Sequence, residues 1–73
     1  MELDTIVLTE DLPDQGLKAG DLGTVVLVHR NGEAYEVEFV TLGGETVAVV
    51  TLSAAQVRPI SRDEMPHARA TVP

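Results

Sequence analysis

The chain of 73 residues has no cysteine and no tryptophan, one tyrosine, one phenylalanine, and only five basic side chains against twelve acidic ones. Without cysteine there is neither a disulfide framework nor a thiolate metal site, so zinc-ribbon architectures fall away and a reducing cytoplasm is the expected compartment. A formal net charge of −7 repels phosphate backbones, because nucleic-acid affinity rests largely on Lys and Arg displacing counterions. Aromatic scarcity excludes two further classes. Single-stranded nucleic acids stack on exposed rings, and polyproline grooves are built from several of them. Here Tyr35 and Phe39 are both needed inside.

No apolar run approaches the ~20 residues a membrane span needs, and Met-Glu-Leu-Asp is acidic where a signal peptide would be basic. A soluble, cytoplasmic protein of one domain is expected. A single core of this size leaves roughly 3–5 kcal/mol of net stability and little room for a cofactor cavity, so no cofactor is expected.

The segments that are present read as β-strands. Leu3 to Thr9 is rich in β-branched residues and ends at the turn-forming run Glu10 to Gly16. Leu22 to His29 and Ala34 to Leu42 flank Arg30-Asn31-Gly32-Glu33, whose Asn-Gly pair is a strong hairpin signal because both residues tolerate positive φ. Gly43-Gly44 turns the chain into Glu45 to Leu52. Ser53 to Gln56 is too short for a stable helix and reads as a 3₁₀ turn before a short edge strand, Val57 to Ile60. Residues 61–73 hold two prolines and little apolar content, and read as a flexible, disordered C-terminal tail on a domain spanning 1–60.

Two-residue loops at Asn31-Gly32 and Gly43-Gly44 set the register by counting. Val28 then faces Tyr35, Val26 faces Val37 and Thr24 faces Phe39. In the next hairpin Leu42 faces Glu45, Phe39 faces Ala48, Val37 faces Val50 and Tyr35 faces Leu52. These rows predict a core of Thr24, Val26, Val28, Tyr35, Val37, Phe39, Ala48, Val50 and Leu52, closed by the first strand and Val57. The opposite face receives Val25, Leu27, His29, Glu36, Glu38, Val40, Val47, Val49 and Thr51. That face is too apolar for ordinary solvent exposure.

Five strands, a long first loop, two tight hairpins, a 3₁₀ turn and a short last strand make an all-β fold in the order of a small SH3-like barrel. Gly20-Asp21-Leu22-Gly23-Thr24-Val25-Val26 resembles the opening of translation-associated KOW segments. A closer resemblance covers residues 3–60. It is carried by Asp4 to Leu8, Asp11-Leu12-Pro13, Gly16-Leu17, Gly20 to Val26, Tyr35 to Phe39, Gly44-Glu45-Thr46, Thr51-Leu52 and Val57-Arg58. On these residues the chain is similar to a family of small bacterial proteins, domain of unknown function 4926 (DUF4926). The resemblance implies an SH3-like fold and no particular activity. Such families are often encoded beside another small gene, which by analogy alone brings in an antitoxin-like or immunity-like role.

Catalysis finds little support. His67 lies in the tail, and His29 sits at a strand end where a solvated histidine is the ordinary outcome. Glu36 and Glu38 share a face, but without a cavity their pKa values have little reason to diverge. Glu10, Asp11, Asp14 and Asp21 cluster near one loop without the spacing of a calcium loop, and no metal site is expected. The glycines at 16, 20 and 23 precede a strand, so no helix N-terminus is available for an anion; Gly20 suits a turn and Gly23 a bulge or close strand approach.

The expected function is therefore a non-enzymatic protein-interaction module. Its candidate binding residues are Val25, Leu27, Glu36, Glu38, Val47 and Val49, which would meet a basic protein partner or a second copy of the chain. A nucleic-acid-associated KOW-like domain is the alternative.

Overall fold

Why the predicted strands form is visible in their cross-strand partners. A computed structural model describes residues 4–71. In chain order they form β1 (Thr5–Leu8), a 3₁₀ turn (Pro13–Gln15), β2 (Leu22–His29), a 3₁₀ turn (Arg30–Gly32), β3 (Ala34–Val40), β4 (Thr46–Ser53), a 3₁₀ turn (Ala54–Gln56) and β5 (Val57–Pro59). All strands belong to one antiparallel sheet in the order β4-β3-β2-β1-β5, which agrees with the all-β, five-stranded reading. No helix of the described residues is long and apolar enough to cross a membrane.

The counted register holds at Val28–Tyr35, Tyr35–Leu52, Val37–Val50 and Phe39–Ala48. It fails further along β2. There Val25, not Val26, pairs with Val37, and Thr24 pairs with Glu38, because Val26 is the extra residue of a bulge between Val25 and Leu27. A bulge inserts one residue into one strand, so everything beyond it changes face. Val25 is accordingly 1% exposed in the core, and Val26 is 39% exposed. A second irregularity follows Phe39, where Val40 pairs with Thr46 and turns Val47 inward against the core. The Leu42–Glu45 pairing is replaced by a longer loop, in which Thr41 N–H donates to the Glu45 carbonyl at 2.8 Å. Gly44 supplies its left-handed residue, with φ 88°.

The core cluster is Ile6, Leu8, Leu17, Val25, Val37, Phe39 and Leu52, with Tyr35, Val28 and Val57 half-buried against it. Leu17 had no place in the alternation of any strand. It enters because the loop folds back on itself: Leu12 and Leu17 exchange main-chain hydrogen bonds of 2.9 and 3.1 Å around the left-handed Gly16. Gly23 lies against β3, where a Cβ would stand 2.5 Å from Val37 Cγ1 and 2.8 Å from Phe39 Cε2. Only glycine permits that approach.

Beyond β5, residues 61–71 form no helix or strand, and the remainder of the expected tail, 72–73, lies outside the described residues, as does Leu3 of the first predicted strand. The segment is nonetheless tied to the barrel. Arg58 Nη1 and Nη2 donate to the Glu64 carboxylate, at 2.8 and 2.7 Å, and Arg69 reaches Asp21.

Candidate functional site

The wet side of β3 and β4 is built by alternation, and in β2 the Val26 bulge brings Thr24 onto the same side as Leu27. Leu27, Glu36 and Thr51 form one cross-strand row, and Thr24, Glu38 and Val49 the next. Of the six candidate binding residues, Leu27, Glu36, Glu38 and Val49 are brought together here. Val25 and Val47 are not: the two bulges send the first into the core and the second against it. What sequence alternation placed inside but the fold exposes is Val26.

Leu27, Val40 and Val49 are 44%, 50% and 57% exposed, a degree that an isolated barrel does nothing to relieve. Around them the acids are held in place. Thr51 Oγ1 donates to Glu36 Oε2 at 2.5 Å, His29 Nε2 stands 2.9 Å from the same oxygen, and Thr46 Oγ1 donates to Glu38 Oε2 at 2.9 Å. The hydrogen bonds from Thr51 and His29 hold the Glu36 carboxyl below the usual carboxylate range, so it is charged at neutral pH. This trio does not make a nucleophile. The Thr51 hydroxyl gives its proton to the carboxylate rather than to the imidazole, and a triad needs the reverse order.

A concave feature lies at the β1–β2 loop. Here the acidic loop residues serve the backbone: Asp11 Oδ1 accepts Ala19 N–H and Asp21 Oδ2 accepts Lys18 N–H, both at 2.8 Å. Asp21 also receives Arg69, with Nε 2.9 Å from Oδ1 and Nη2 2.6 Å from Oδ2, while Nη2 donates to the Gly16 carbonyl at 3.0 Å. Burial pushes the Asp21 carboxyl up. The Arg69 and Lys18 hydrogen bonds and the charges of both cations outweigh it, and hold the group below its ordinary value. Between the 66–71 segment and the strands runs a cleft of about 630 Å³, whose barrel wall includes Leu17, Leu22, Phe39, Val40, Leu42 and Val47. Sequence reasoning missed this cleft, and its one signal was Arg69, an isolated cation in a segment otherwise read as tail.

No curated protein and no solved structure matches the chain. The family model described as a domain of unknown function, DUF4926, matches residues 2–59, a span that takes in every strand of the sheet, and the chain therefore belongs to the DUF4926 family.

Proposed function

We propose that this domain is a non-enzymatic protein-interaction module of the cytoplasm, which docks a basic protein on the outer face of β2, β3 and β4. The observation that carries the reading is the juxtaposition on that face of exposed Leu27 and Val49 with Glu36 and Glu38, whose carboxylates are fixed by Thr51, His29 and Thr46. Apolar side chains supply contact area, and preset carboxylates select a cationic counterpart and exclude anionic ones. The net charge of −7 adds long-range attraction of the same sign.

The test is affinity capture from cells of the source organism with the wild-type chain and with a Leu27→Glu, Val49→Glu double variant, followed by reconstitution with the purified captured protein. A basic protein bound by the wild type, lost with the double variant and rebound in purified form supports the reading. Capture of RNA or DNA in its place, or equal capture by both chains, overturns it.

A further inference from the structure

The cleft under the C-terminal segment is a built site. Asp21 is the anchor: its side chain is 19% exposed, one of its oxygens is fixed by Lys18 N–H, and the Gly16 carbonyl stands beside it as another acceptor. Two carboxylate oxygens and a carbonyl match the planar, forked donors of a guanidinium, whereas an ammonium offers no such fork. In this structure Arg69 occupies the cradle. Its neighbours Ala68 and Ala70 both line the cleft, and with side chains of a single methyl they leave about 630 Å³ unfilled against Leu17, Leu22, Phe39 and Val47. Cradle and apolar wall fall within the family match at 2–59, while the segment that reaches into the cradle lies beyond it.

The segment crosses the sheet to get there. It leaves the Arg58–Glu64 clasp at β5 and closes on Asp21 next to β2. Val7 of β1 lies between these anchors, paired with both Arg58 and Leu22. It alternates with the core residues Ile6 and Leu8, yet it is only 5% exposed. That side of β1 is therefore covered.

We propose that the cleft is a recognition site for an extended segment of a basic partner protein, carrying an arginine flanked by apolar residues larger than alanine, and that residues 66–71 are its weaker occupant in cis. The proposal rests on the reading of the domain as a module for basic proteins, but uses a different surface from the outer face. The arginine meets Asp21 and Gly16, and the flanking side chains fill the space beside Leu22 and Phe39. A partner segment then displaces the chain's own by better filling of the same cleft.

Fluorescence polarisation with two labelled peptides tests this on the full chain. One has the sequence of residues 66–72, PHARATV, and the other carries leucine at both alanine positions. With the Arg69→Ala chain, whose own occupant is disabled, the leucine peptide is expected to bind at least tenfold more tightly than PHARATV. Both should bind the wild type up to about fivefold more weakly than they bind Arg69→Ala, the limit set by a partly exposed ion pair. Adding Asp21→Asn, which keeps the size of the side chain and its bond to Lys18 N–H, should remove binding from a chain whose circular dichroism is unchanged. No binding by the folded Arg69→Ala chain, or equal affinity for the two peptides, overturns the proposal. A wild-type dimer that Arg69→Ala dissociates also overturns it, by placing the segment in a second copy. Failure of the peptides with outer-face capture intact sinks this site alone, and loss of capture with peptide binding intact sinks only the outer face.

Discussion

Arg69 closes on Asp21 across 48 positions of sequence, with Nε on one carboxylate oxygen and Nη2 on the other, at 2.9 and 2.6 Å. The two side chains are 27% and 19% exposed, so the pair is shielded on one side and open on the other. It joins the end of the chain to the loop before β2 and makes the C-terminal segment a wall of a cleft.

Replacing that guanidinium should loosen the segment far more than it weakens the fold. A partly exposed pair contributes on the order of 1 kcal/mol or less, so Arg69→Ala should lower global stability by no more than about that amount. The ¹⁵N heteronuclear NOE of residues 65–71 should fall sharply in the variant, while values in β2 and β3 stay as they are. An unchanged NOE would show that the pair does not hold the segment.

Acid should release the segment as well. The Asp21 carboxyl is held below its ordinary value, and Glu64, through its hydrogen bonds with Arg58 and Ser61 N–H, is held down to about 2. A depressed carboxylate stabilises the folded form above its unfolded pKa, and that contribution is lost as pH falls through the folded one. Attachment should therefore be constant from neutrality down to the ordinary carboxylate range and be lost below it at both anchors, at the Glu64 clasp as pH falls toward about 2. Amide chemical shifts of Ala70 and Thr71, followed from pH 7 downward, should stay flat and then move. A midpoint near neutrality would contradict the assignment.

The bulge at Val26 makes adjacent valines unequal. Val25→Ala removes packed core volume and should cost about 2 kcal/mol, whereas Val26→Ala at an exposed site should cost less than about 1 kcal/mol. Strict alternation demands the opposite ranking. Urea denaturation of the two variants decides between them, and m should be unchanged in both.

Gly23→Ala is expected to be more damaging than its size suggests. The new methyl would stand 2.5 Å from Val37 Cγ1 and 2.8 Å from Phe39 Cε2, so these buried side chains must shift. Overpacking of this kind costs about 1–3 kcal/mol. Thermal melts that coincide with wild type would show that Val37 and Phe39 yield freely.

Much of the sheet was legible because its signals are local. The β-branched runs, the Gly and Asn turn residues and the alternation of Tyr35, Val37 and Phe39 with Glu36 and Glu38 each act over a few residues. β2 begins and ends at the residues expected, Leu22 and His29, and the β3–β4 register from Phe39 back to Tyr35 matches the count because the irregularity after Phe39 offsets the extra residue of the loop. The outer-face candidates divide by the same logic. Leu27, Glu36, Glu38 and Val49 stand on the side where alternation puts them, and the residues displaced, Val25 and Val47, are those that adjoin a bulge.

The sequence by itself determined the all-β class, the order and number of strands, the acidity of the surface and the absence of any thiol or aromatic platform. Each of these follows from composition or from a period of two residues. Tertiary structure alone decided that Val25 is core and Val26 surface, that Leu17 leaves its loop for the interior, and that Arg69 meets Asp21. A bulge depends on how a short sheet must curve to cover its core, and an ion pair between residues 48 apart depends on where the folded loops come to rest. Neither leaves a local pattern in the chain.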